Sequence, residues 1–177
     1  MYRLRKVALV LAAVGLLAGV YLGTRRRARV VPAVSGGQQP AAPHLNMVDL
    51  NGRSIETASY DGRVVLINFW AAWCTPCTEE VPQFVALQDK YGGQGFQAIG
   101  ISMDDKEGAL RDFYRKYKMK YPVIIGNQNI AQQYGGILGL PTSFLIGRDG
   151  RIRSKTSGLA DFPKLEQEIV ALLRSGN

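Results

Sequence analysis

Val65-Leu66-Ile67-Asn68-Phe69-Trp70-Ala71-Ala72-Trp73-Cys74-Thr75-Pro76-Cys77 is the stretch on which the fold turns. Its first half, together with Val64, is a continuous apolar run with β-branched residues, which predicts a strand over Val64 to Phe69 buried on both faces. Its second half opens a helix expected to run to about Tyr91, with Pro76 in the first turn, where a missing N–H breaks no bond. Pro82 lies deeper, removes a backbone bond to Thr78 and predicts a kink.

Cys74 and Cys77 are the only cysteines in 177 residues. A structural zinc site needs about four ligands; no third Cys exists, and the single His, His44, lies 30 residues upstream, so no metal is expected. A static disulfide across so small a loop contributes little through chain entropy. Redox chemistry is the reading that the spacing favours. At the first turn of a helix, unpaired N–H groups and the macrodipole stabilise an anion, so the Cys74 thiol is expected to ionise more readily than a free thiol of pKa about 8.5. Cys74 is then the attacking sulfur. Cys77, one turn deeper on the same side, is placed to resolve the mixed disulfide that Cys74 forms.

Outward from this centre the chain alternates strand and helix signals. Upstream, Met47 to Leu50 and Arg53 to Ile55 flank Asn51-Gly52, a strong hairpin signal. Downstream, a strand is expected at Phe96 to Ser102, a helix from about Lys106 to Tyr117, a short strand at Val123 to Ile125 and a helical turn near Ile130 to Tyr134. Strands at Ser143 to Ile146 and Ile152 to Thr156, joined at Asp149-Gly150, follow. A closing helix covers Phe162 to Arg174, with Asp161 as N-cap and Leu165, Ile169, Leu172 and Leu173 on its apolar face. The alternation implies an α/β domain over residues 45 to 177, with a mixed sheet and helices on both faces.

The ends of the chain have a different texture. The net charge of +8 is concentrated in residues 1 to 29, which hold seven basic side chains and no acid, leaving 15 basic against 14 acidic residues elsewhere. The remainder is close to neutral, and no nucleic-acid partner is expected. The cluster Arg115-Lys116-Tyr117-Lys118-Met119-Lys120 closes a predicted helix, where cations favour the macrodipole. Val7 to Gly23 is 17 residues without charge between basic flanks, at the short end of what spans a bilayer and read as an uncleaved anchor with snorkelling basic ends, the rival being a signal peptide cleaved after small residues that Val20, Tyr21 and Leu22 interrupt. Its flanks are too alike to set orientation. Residues 30 to 44 read as a flexible tether, and residues 30 to 43 alone would reach on the order of 20 Å as a coil.

The segment from Val65 to Cys77, with Pro82 after it, resembles the active-site region of the thioredoxin superfamily. Asp49-Leu50-Asn51-Gly52, Gly100-Ile101-Ser102-Met103-Asp104 and Gly139-Leu140-Pro141-Thr142-Ser143-Phe144-Leu145-Ile146 narrow the resemblance to membrane-anchored oxidoreductases of the TlpA/ResA type, over roughly residues 45 to 174. That resemblance implies a thioredoxin-like mixed β-sheet flanked by helices, with an N-terminal β-hairpin extension and an N-terminal transmembrane helix. It implies that Pro141 is a cis-proline facing the disulfide, that Leu140 offers backbone hydrogen bonds to a substrate strand, and that Trp73, Thr75 and Pro76 meet substrate. Thioredoxin has a buried Asp six positions before its first Cys, where this chain has Asn68. Glu80, three residues after Cys77, is the expected proton exchanger in its place, and Glu79 the surface residue that complements the helix.

No cofactor is expected beyond the redox-active pair itself. The implied partners are client proteins with disulfides outside the cytoplasm, for example an apocytochrome c in cytochrome c maturation, and a membrane thiol carrier as electron donor. Thr75 between the cysteines, where a His would make the disulfide more oxidising, leans towards a reductant. Three rivals remain: a thiol peroxidase, which wants Thr and Pro where Ala71 and Ile67 stand; a copper-delivery protein, which wants three residues between its cysteines and a downstream His; and a non-catalytic membrane adaptor.

Overall fold

The computed structural model describes residues 39–104 and 106–175. Seven strands and four α-helices follow one another in these residues: β1 (Asn46–Val48), β2 (Ser54–Glu56), β3 (Val64–Trp70), α1 (Thr75–Tyr91), β4 (Phe96–Ser102), α2 (Glu107–Lys116), β5 (Val123–Ile125), α3 (Gln128–Gln133), β6 (Thr142–Ile146), β7 (Ile152–Ser157) and α4 (Phe162–Arg174). The main sheet has the order β5-β4-β3-β6-β7. β3 is central, parallel to β4 and antiparallel to β6, and β4 and β5 are also parallel. This is a thioredoxin-like mixed sheet.

All seven residues of β3 are buried, as its unbroken apolar run requires. Its alternation divides the core. Val64, Leu66 and Trp70 point to the side covered by α1, α2 and α4, where they join Val81, Phe84, Leu110, Leu165 and Ile169. Val65, Ile67 and Phe69 point to the other, where Leu45, Ile55, Ile130 and Tyr134 cover them. Phe69, Tyr134 and Phe144 meet there at tilted and edge-on angles, with ring centroids 5.0 to 6.0 Å apart, a favourable aromatic arrangement. On the first side, Gly100 of β4 makes room for Trp70: a Cβ at that position would lie 2.9 Å from the indole Nε1.

The N-terminal hairpin forms as expected but with both strands set further from the turn, paired Asn46 to Glu56 through Val48 to Ser54. Asp49 shapes the turn. Its Oδ1 accepts from the N–H of Asn51 and of Arg53 at 2.9 Å, and its Oδ2 from Arg53 Nε at 2.8 Å, while Gly52 takes a φ of 80° that glycine adopts without strain. Leu50 N–H donates to the Val123 carbonyl at 2.7 Å, tying the hairpin to the edge strand β5. Asp161 caps α4 as its side chain accepts from Lys164 N–H. The basic segment that closes α2 contains two exposed ion-paired residues, Arg115 with Asp112 and Lys120 with Asp89, and a buried Met119, so it forms no continuous positive face.

Several element ends shift by a residue or two from the sequence reading, and the N-terminal edge of the folded unit shifts further. β3, read as an apolar run over Val64 to Phe69 with Trp70 closing it as a core residue, runs through Trp70, whose indole is buried. The folded unit begins at Gln39 instead of Leu45. Residues 39 to 42, expected in the tether, line the open edge of the sheet: Ile152 N–H donates to the Pro40 carbonyl at 2.9 Å and Ala42 N–H to the Gly150 carbonyl at 2.8 Å. Unpaired backbone at a sheet edge recruits neighbouring chain irrespective of its side chains, which is why composition did not reveal it. Among the described residues no helix is long and apolar enough to cross a membrane; the expected anchor, and the tether as far as residue 38, lie outside them.

Candidate active site

The site is built where β3 ends and α1 begins. Ala71 to Cys74 form a turn closed by Cys74 N–H donating to the Ala71 carbonyl at 3.1 Å, and Cys74 then becomes the N-cap of α1 with extended backbone. Cys74 and Cys77 are joined in a disulfide with Cα atoms 5.2 Å apart. Cys77 is fully buried and Cys74 is 6 % exposed, so of the two residues only Cys74 retains any surface. Thr75 and Pro76 lie between them at the helix start. The helix continues through Pro82 to Tyr91, since the carbonyl of Thr78 loses its partner while the flanking turns keep theirs.

Leu140–Pro141 is a cis peptide bond, as the resemblance implied. It immediately precedes β6, and Leu140 and Cys74 line the same groove, of about 560 Å³. Trp73, Met103, Ile137 and Leu138 complete its apolar walls, and none of its described lining residues is charged. Trp73 is 70 % exposed and Leu138 fully so. Gly135 and Gly136, both at positive φ, end α3 by returning N–H groups to Gln132 and Ala131 and lead into this rim. Two exposed apolar side chains thus border the groove in which Cys74 lies.

Glu80 lies on the inner side of α1, one turn beyond Cys77, and is 1 % exposed, whereas Glu79 faces solvent. Its Oε1 accepts from the Ala160 N–H at 2.6 Å; its Oε2 is buried with no hydrogen-bond partner. Burial raises the pKa of this carboxyl from 4.5 to about 7, against the smaller opposing pull of the Ala160 N–H and the Asn68 amide. Asn68 is itself buried and donates from Nδ2 to Ser143 Oγ at 3.0 Å, so its amide is shared with β6. Buried Tyr121, whose phenol burial pushes well up, stays neutral nearby. The carboxyl can therefore hold or release a proton near neutral pH, and Oε2 is the oxygen free to carry it.

The structure places the residues expected at the site as follows. Cys74, Cys77, Glu80, Thr75 and Pro76 share the first two turns of α1, and Trp73 and Leu140 flank the groove beside Cys74. Sequence reasoning missed Ala160, whose backbone reaches Glu80 from the loop before α4, and the groove-lining Met103, Ile137 and Leu138. Backbone donors leave no trace in residue identity, but an apolar pair straight after two glycines could have marked an exposed rim.

A thioredoxin-like sheet with a Cys-x-x-Cys disulfide capping a helix and a cis-proline before the adjoining strand defines a class: thiol-disulfide oxidoreductases. Residues 39–155 match the model of the AhpC/TSA family, and the chain belongs to that family. The chain is 35 % identical over 126 residues to the thiol-disulfide oxidoreductase ResA of Bacillus thuringiensis, an alignment covering 71 % of this chain and 73 % of that one. ResA of Bacillus subtilis is 28 % identical over 117 residues, covering 66 % of this chain and 65 % of its own. Among solved structures, a thiol:disulfide interchange protein of the thioredoxin family from Chlorobium tepidum superposes with a TM-score of 0.74 at 26 % identity, covering 78 % of this chain and 99 % of its own. The protein is a thiol-disulfide oxidoreductase of the ResA type.

Proposed function

We propose that the protein is a membrane-tethered reductant of disulfides in client proteins outside the cytoplasm. The observation that carries this reading is the asymmetric pair of sulfurs: Cys74 at the mouth of an uncharged groove, Cys77 fully buried and one turn from a carboxyl that titrates near neutrality. In the reduced protein the Cys74 thiolate attacks one sulfur of the client disulfide. A mixed disulfide forms and the other client sulfur leaves as a thiolate. Glu80 accepts the proton of Cys77, whose thiolate then attacks Cys74 Sγ, releasing the second client thiolate and closing the Cys74–Cys77 disulfide. Two electrons pass to the client. A dithiol carrier in the membrane restores the reduced pair in a matching exchange.

The groove favours an extended client segment, with the Leu140 backbone offering hydrogen bonds and Trp73, Thr75 and Pro76 bordering the reacting sulfur. The absence of charge from the described groove suits a short Cys-x-x-Cys segment lacking acidic neighbours, such as the haem-attachment motif of an apocytochrome c. A peroxidase reading is less favoured, because Ile67, within β3, and Ala71, directly after it, stand where that chemistry wants Pro and a Thr hydroxyl. The test uses the reduced full-length protein in detergent and a synthetic peptide with an oxidised Cys-x-x-Cys-His motif. The expected result is stoichiometric transfer of the disulfide from peptide to protein, and failure of any transfer at neutral pH would contradict the proposal.

A further inference from the structure

A second buried carboxylate near the cysteines takes no part in the proton transfer above. Asp104 lies two residues beyond the end of β4 and is 9 % exposed. Its Oδ2 accepts from the Ala72 N–H at 2.8 Å and from Ser102 Oγ at 2.7 Å, and Ser102 Oγ accepts in return from the Asp104 N–H at 3.1 Å. Met103 N–H donates to the Trp70 carbonyl at 2.8 Å, so the ends of β3 and β4 are joined beyond their ladder. Ala72 sits in the middle of the turn that delivers Cys74 to the start of α1.

The ordinary role for an Asp before a helix is to cap it. Asp104 does not: the N-cap of α2 is Lys106, whose side chain makes no cap hydrogen bond, and the hydrogen bonds of the Asp104 carboxylate go to Ala72 and Ser102. The carboxylate turns instead to the loop that carries Cys74. Burying a carboxylate costs free energy unless strong hydrogen bonds offset it, and here they come from one buried hydroxyl and one amide of the redox loop.

We propose that Asp104, oriented by Ser102, is a positioning residue for disulfide exchange: it holds the Ala72 amide and thereby fixes where the Cys74 sulfur stands relative to the end of α1 and the groove. The inference rests on Cys74 as the attacking sulfur. It differs from the role given to Glu80, because Asp104 acts through backbone and exchanges no proton.

The test measures insulin disulfide reduction and the pH dependence of Cys74 alkylation by iodoacetamide in the full-length protein. Asp104→Ala is expected to lower kcat/KM about tenfold, as small displacements of reacting atoms do, and to move the alkylation profile of Cys74. Asp104→Asn keeps an acceptor in place and should restore most of the rate and the wild-type profile. Asp104→Glu keeps the charge but sets it one methylene further out, and should stay low. A folded Ala variant with wild-type rate and profile would overturn the proposal. So would a Glu variant equal to or faster than Asn, since charge rather than position would then matter; that ordering decides the question even if the Ala variant does not fold. A Cys74→Ser control that retained activity would instead indict the assignment of the attacking sulfur.

Discussion

Cys74→Ser is expected to abolish disulfide reduction, lowering the rate by about 10³-fold or more, while Cys77→Ser stops the reaction one step later with client protein covalently attached. The difference follows from exposure. Cys74 is the sulfur that reaches the groove, and Cys77 is sealed beneath it, so a client disulfide can be attacked only by the first. A serine hydroxyl is not ionised at neutral pH and cannot replace a thiolate. With Cys77 replaced, the mixed disulfide on Cys74 has no neighbour to displace it and accumulates as an adduct on non-reducing gels. Adducts with the Cys77→Ser protein but none with the Cys74→Ser protein is the expected pattern; the reverse would exchange the roles of the two sulfurs.

Glu80→Gln should produce the second largest loss, about a hundredfold in the rate of client release at neutral pH, a range typical of positioned proton transfer. Glutamine fills the same space and can still accept from the Ala160 N–H, but it cannot take the proton of Cys77. The wild-type rate should rise with pH through an inflection at about 7, where the carboxyl ionises, and the variant should lack that inflection. Stability should move the opposite way. The folded pKa of about 7 lies above the ordinary 4.5, so the protonated carboxyl favours the folded state: its contribution is complete below 4.5 and disappears as pH rises through 7. Thermal unfolding across that interval should show the wild type losing stability relative to the Gln variant as pH rises. Equal slopes would show that Glu80 is ordinarily solvated, removing it from the mechanism.

Much of this architecture was legible because neighbouring residues dictate it. The run Val64 to Trp70 has no polar side chain except Asn68, and a segment of that kind is stable only between two covering layers. Asp161 and the apolar residues four apart after it fixed both the start and the buried face of α4. Cys74, Cys77 and Glu80 could be grouped because one helix sets their spacing. The parts that were hidden depend on long-range partners. Ala160 meets Glu80 across 80 residues of chain, and Asp104 meets Ala72 across 32, in both cases through a backbone N–H that every non-proline residue possesses. Residues 39 to 42 join the sheet mainly through the Pro40 carbonyl and the Ala42 N–H, with Gln39 Oε1 accepting from Arg153 across 114 residues of chain, partners that the composition of the segment does not reveal.

The Cys74–Cys77 couple as a donor of electrons is tested most directly by its reduction potential, read from the equilibrium of the full-length protein against a dithiothreitol redox buffer at pH 7. A value near or below about −270 mV, where thioredoxin lies, is the predicted result. A value near about −120 mV, typical of a strong oxidant, would contradict the account by making this protein a taker of electrons from its clients.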